Sequence, residues 1–160
     1  MDHDFAYFED VEIGPEFEIG RHTPSRDEII TFARQWDPQP FHVDEDAARR
    51  SVMGGLCASS CHTYSISSLI FSRSENRLQT AAMLGLEMRF PHAVRPDEEL
   101  ILSEEFLEKR TSASRPDYGI VRSRTTLRNA RGEEVMVMES SFLVDRRPSD
   151  PEPTASIESH

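Results

Sequence analysis

The chain has 160 residues, enough for one domain with its own core, and a formal net charge of -11 with a sequence pI of about 5.0. That acidic balance, without a basic run, argues against a nucleic-acid partner, and no apolar run approaches the roughly 20 residues of a membrane span. Cys57 and Cys61 are the only cysteines, too few for a disulfide scaffold, and Met1-Asp2-His3-Asp4 lacks the regions of a signal peptide. A cytoplasmic protein is expected.

Phe5 to Ile13 mixes aromatics with acids and is expected to cross the surface, ending at a Gly14-Pro15 turn. Phe17, Ile19 and Arg21 alternate with Glu18, Gly20 and His22, the pattern of a short strand. Ser25-Arg26-Asp27-Glu28 has the form of a capping box. Ile29, Phe32, Ala33 and Trp36 then fall on one apolar helix face. Pro38 and Pro40 push Asp37 and Gln39 out of the helical region, so Asp37 to Phe41 reads as a stiff, extended corner. Asp44 is placed to cap a second short helix through Ala47, Ala48 and Arg50.

Val52 to Gly55 reads as a loop, and Leu56 to Phe71, free of Pro and Gly, as a largely buried helix carrying both cysteines. After a polar link through Asn76 the apolar period changes to two. Leu84 to Phe90, Leu100 to Phe106, Tyr118 to Leu127 and Val135 to Val144 read as strands, with Asn129-Ala130-Arg131-Gly132 as a hairpin turn. One apolar helix followed by long antiparallel strands predicts an α+β fold, a sheet wrapped around that helix. Residues 1–146 are expected to form this single domain. Residues 147–160, with three prolines and Ile157 as the one large apolar side chain, are expected to be a disordered tail.

Trp36-Asp37-Pro38-Gln39-Pro40-Phe41-His42-Val43-Asp44 resembles the hydratase-2 signature of the MaoC-like dehydratases, the family of R-specific enoyl-CoA hydratases. Asp37, Pro40 and His42 match its Gly-Asp-x-Asn-Pro-aliphatic-His core, while Trp36, Gln39 and Phe41 replace its Gly, Asn and aliphatic residue. Gly54 to Ser59 is similar to the family's entry into its central helix. Phe90 to Asp97 is similar to its strand-to-turn segment, with Asp97 where a Gly is usual. Ser112 to Gly119 and Asn129 to Val135 are similar as well.

The resemblance implies a hot-dog dimer with sites between subunits, and leaves a higher oligomer open. It implies reversible addition of water to a trans-2-enoyl-CoA, or dehydration of a 3-hydroxyacyl-CoA. Coenzyme A would be part of the substrate, with no separate cofactor. Asp37 and His42 would hold one water between them, and imidazole exchanges protons near neutral pH. Which of the two takes the proton of water stays open. The Gly55 amide, at or beside the expected helix start, would stabilise the enolate oxygen, with Gly54 serving the turn or sharing the role. Trp36, Gln39, Phe41, Gly54, Ser59 and His62 are candidate substrate contacts. For Ser59 the alternative is a bond back to its own helix, and for His62 a satisfied core position. Lys109, Arg110 and Arg115 are candidates for the phosphates of coenzyme A, or else solvated strand ends. No metal is expected, because no second His or Cys cluster accompanies His42, Asp44 and Asp46. A hot-dog thioesterase and a non-catalytic thioester-binding subunit are the rival readings. The first is disfavoured by the lack of Asp or Glu from Leu56 to Phe71.

Overall fold

A computed structural model describes residues 6–75 and 77–149. The expectations for Met1 to Phe5, for Asn76 and for the tail beyond Ser149 lie outside the described residues. In chain order the elements are β1 (Phe17–His22), α1 (Arg26–Trp36), α2 (Pro40–Val43), α3 (Glu45–Arg50), α4 (Ser60–Arg73), β2 (Thr80–Arg89), β3 (Leu100–Thr111), β4 (Tyr118–Arg128) and β5 (Glu134–Asp145). A single 3-10 turn, Phe8–Asp10, precedes them.

The strands form one antiparallel sheet in the order β1-β3-β4-β5-β2. Ile66 and Ile70 of α4 pack with Leu100, Leu102, Leu127 and Met136 of the sheet in the main core cluster. This is the α+β hot-dog arrangement the sequence predicts. Asn129–Gly132 closes the β4–β5 hairpin, and Gly132 takes φ 80°, where a Cβ would be strained. The N-terminal segment lies against the sheet. The Phe8 ring packs so closely on Gly119 that a Cβ there would come within 2.0 Å of it.

Three local expectations need correction. The central helix begins at Ser60, not Leu56, because residues 56–59 are recruited to tertiary bonds. The Ala58 amide donates to the Val94 carbonyl (3.0 Å), and Ser59 is the N-cap, accepting from the His62 amide (3.1 Å). Cys57 therefore lies before the helix and Cys61 within it, so they do not share a helix face; both are free thiols. Second, Asp37 leaves α1 as its C-cap and Gln39 is extended, but Pro40 starts the helical turn α2 instead of prolonging the corner. Proline at the first helical position loses no bond, since that amide would be unpaired. Third, the capping box of α1 is half formed. Ser25 accepts from the Glu28 amide (3.1 Å), but the Glu28 carboxylate turns to His22 (2.9 Å) and His62 (3.1 Å).

Candidate active site

Asp37 and His42 are set by opposite ends of a short connection. Asp37 terminates α1, and its amide donates to the Ala33 carbonyl (2.9 Å). His42 sits in α2, whose chain Pro40 has turned back. Their side chains face each other, with His42 Nε2 3.8 Å from Asp37 Oδ2. That gap is too long for a direct hydrogen bond. His42 is buried while the Asp37 side chain is 28% exposed, so the pair opens toward solvent from the carboxylate side.

The imidazole tautomer follows from its second nitrogen. His42 Nδ1 lies 2.6 Å from the Cys57 carbonyl oxygen. A carbonyl only accepts, so Nδ1 carries a proton and donates it. Neutral His42 therefore presents an unprotonated Nε2 toward Asp37. Two acceptors facing one another across this gap suit a water that donates one hydrogen to each. The lone pairs of that water then point away from both. The edge of the Phe41 ring packs on the imidazole, centroids 4.5 Å apart, and limits its rotation.

The Cys57 carbonyl belongs to the loop that carries Gly54 and Gly55, so the glycines are tied directly to the imidazole. Gly54 takes φ 67°, the turn role expected of it. The Gly55 amide makes no hydrogen bond among the described residues. It is four residues ahead of the N-cap Ser59, so the helix dipole expected to polarise it is not there. Arg95 supplies charge to this loop instead. Its guanidinium donates to the carbonyls of Met53, Gly55 (2.7 Å) and Leu56 (3.3 Å). These bonds fix the peptides on both sides of the one bearing the Gly55 N–H. The Arg95 contacts span about 40 positions of sequence, and no local pattern announces them.

Among the other candidates, Trp36 is 66% exposed and Gln39 is exposed beside the pair. Ser59 is buried and engaged as the helix N-cap, the local alternative to a substrate contact. His62 is buried, stacked on Phe32 at 4.4 Å and bonded through Nε2 to Glu28. This is a core position but not a fully satisfied one, since its buried Nδ1 has no partner among the described residues, and burial pushes its pKa down more than Glu28 raises it. It joins α1 to α4, an anchorage the sequence reading missed. Lys109 is committed elsewhere, donating to the Val11 carbonyl (2.7 Å) and lying over the Phe8 ring. Arg110 and Arg115 are exposed.

A buried imidazole thus faces a partly exposed carboxylate on a hot-dog scaffold, and the loop bonded to that imidazole carries a glycine amide unpaired among the described residues. The MaoC like domain family matches residues 9–127, and the chain belongs to that family. The uncharacterized protein YdeM of Bacillus subtilis is 32% identical over 137 residues, which cover 84% of this chain and 95% of YdeM. Among solved structures, the MaoC-like dehydratase from Rhodospirillum rubrum is 38% identical with TM-score 0.84, over 90% of this chain and 99% of that one. The R-hydratase PhaJ1 from Pseudomonas aeruginosa shares the fold at 22% identity and TM-score 0.72, over 94% and 96% of the two chains.

Proposed function

We propose that this protein hydrates a trans-2-enoyl thioester, or dehydrates the 3-hydroxyacyl thioester in reverse. The observation that carries the reading is the fixed Nδ1–H tautomer of His42, whose Nε2 lies 3.8 Å from Asp37 Oδ2, so that one water beside the pair can bond to both. One member of the pair accepts a proton from water as its oxygen bonds to C3. The pair then passes that proton on to C2, so both groups end the cycle as the acceptors they were at its start. The C2–C3 double bond becomes single, and the net addition is one water. The Gly55 amide donates to the thioester oxygen while negative charge builds there.

Coenzyme A is the carrier in this proposal, Arg110 and Arg115 being the cations left for its phosphates, with no separate cofactor. The proposed assembly is a homodimer in the cytoplasm. Two features support it. Among the described residues β2 pairs only with β5, leaving its other edge open, and Met83, Leu84 and Leu86 stand exposed along it. No described helix is long and apolar enough to cross a membrane.

The assay is a panel of trans-2-enoyl-CoAs followed by loss of the conjugated absorbance, with a thiol-trapping dye in parallel. Loss of absorbance without free thiol is expected. Thiol release would identify a thioesterase, and acyl-CoA binding without turnover a non-catalytic subunit. Arg95→Met, which frees the loop flanking Gly55, is expected to lower kcat by about 10²-fold with a smaller change in KM. An unchanged kcat would separate Arg95 from the reaction.

A further inference from the structure

Glu28 does not serve the cap that its spacing from Ser25 predicts. Its carboxylate turns away from the start of α1 and accepts from two imidazoles, His22 Nε2 of β1 (2.9 Å) and His62 Nε2 of α4 (3.1 Å). A carboxylate only accepts, so both Nε2 atoms carry the proton. That leaves His62 Nδ1 as a bare acceptor, buried and without a partner among the described residues. A buried acceptor without a donor costs stability, and a phenylalanine of nearly the same outline would avoid it. What position 62 gains in return is one bond and one ring stack to α1.

Glu28 and Phe32 lie one turn apart on the same face of α1. The imidazole bonds the first and stacks on the second, with ring centroids 4.4 Å apart and planes within 8°. Ile29, Ile30 and Ala33 bury the apolar side of α1. Apolar burial is non-directional, so it constrains a slide of the helix along its axis less sharply than a bond between fixed atoms does. Asp37 ends the same helix, about two and a half turns beyond Glu28, so a slide of α1 is carried through to it. His42 takes its reference from elsewhere, the Cys57 carbonyl, in the loop that also carries Gly55 and enters α4 at Ser59. The chain between Asp37 and His42 limits how far the two can part, but it does not set where Asp37 sits relative to that loop. His62 closes the circuit, since its own amide donates to the Ser59 hydroxyl (3.1 Å) that caps α4.

We propose that Glu28 and His62 are positioning residues for the Asp37–His42 pair, their bond setting the slide of α1 against α4 and with it the place of Asp37 relative to His42 and Gly55. The inference rests on the hydratase reading, and neither residue touches substrate. His22 holds the carboxylate from the sheet side, through Oε2 (3.1 Å) as well as Oε1, so β1, α1 and α4 meet at one side chain. A displacement of about 1 Å, made far from the reacting atoms, is enough to lower a rate by up to about 10²-fold. KM should move less, because the loop carrying Gly54 and Gly55 keeps its own bonds to Arg95.

The test is steady-state hydration of a trans-2-enoyl-CoA by variants of the full chain, with thermal unfolding measured beside it. His62→Phe keeps a ring over Phe32 and removes both the bond and the unpaired Nδ1. It is expected to lower kcat about tenfold or more and to move KM less than about twofold, in a protein that unfolds no earlier than wild type. His62→Gln, whose amide nitrogen reaches the place of Nε2, should recover most of kcat. Glu28→Leu should match His62→Phe, and the double variant should be no slower than either single one. Proton–nitrogen correlation spectra of the histidine rings read the same tie without substrate. They should show His42 as the Nδ1–H tautomer and His62 as Nε2–H, and His62→Phe should shift the ring signals of His42. If wild type hydrates no enoyl-CoA, the hydratase reading falls and these spectra decide whether the tie holds the pair in place. The proposal is overturned by an unchanged kcat in folded His62→Phe, by activity and stability that fall together without recovery in His62→Gln, by additive losses in the double variant, or by His42 signals that do not respond to His62→Phe.

Discussion

Asp37→Asn is expected to lower kcat/KM for a trans-2-enoyl-CoA by about 10²–10⁴-fold, the usual contribution of one positioned acid-base group, with little effect on folding. The carboxylate is partly exposed and makes no hydrogen bond among the described residues, and the C-cap bond comes from the Asp37 backbone, so an isosteric amide leaves α1 and its C-cap in place. The amide presents the same outline to His42 Nε2 but takes up no proton. His42→Ala should reduce activity by a similar factor. It also strips the Cys57 carbonyl of its donor in a buried place, which costs about 1–3 kcal/mol of stability. Because the two groups act on one water, the double variant should be little worse than either single one. Steady-state kinetics beside thermal unfolding separate the two effects. Wild-type turnover in a folded Asp37→Asn protein would remove the carboxylate from the reaction.

Glu104→Gln is expected to stabilise the protein at pH 8 by about 3 kcal/mol and to leave it almost unchanged at pH 4. Burial against the apolar clusters pushes the Glu104 carboxyl up to about 7 from 4.5, and the Ser123 hydroxyl only partly offsets this. Between those values the folded protein keeps a proton that the unfolded chain has released. Stability therefore falls as pH rises through that interval and levels off above it. Glutamine carries no such proton, so the difference in unfolding free energy between variant and wild type should grow from pH 4.5 to 7 and then stay flat. Urea unfolding across a pH series measures it. A flat difference across the whole series would show that Glu104 ionises in the folded state as easily as in the unfolded chain.

The amino-acid sequence by itself determined the elements whose signals are local. Alternation marked the strands, Asn129 to Gly132 marked the hairpin, and Pro38 forced Asp37 off the end of its helix. The motif around Asp37, Pro40 and His42, with flanking matches in the same order, carried the resemblance to the MaoC-like family to which the chain belongs. These features are legible because the residues that cause them are neighbours along the chain.

Only the tertiary structure decided where α4 begins, since that depends on Ala58 pairing with Val94 rather than on the helix-forming character of Leu56 to Ser59. It also decided which nitrogen of His42 holds the proton, through a carbonyl 15 residues away. Arg95 reaches the carbonyls on either side of the Gly55 amide from about 40 residues away. The alternation of β3 placed Glu104 on the inward face, yet nothing nearby said that this face would be dry at that point. Partners and burial at such separations are set by packing, and packing depends on every element at once.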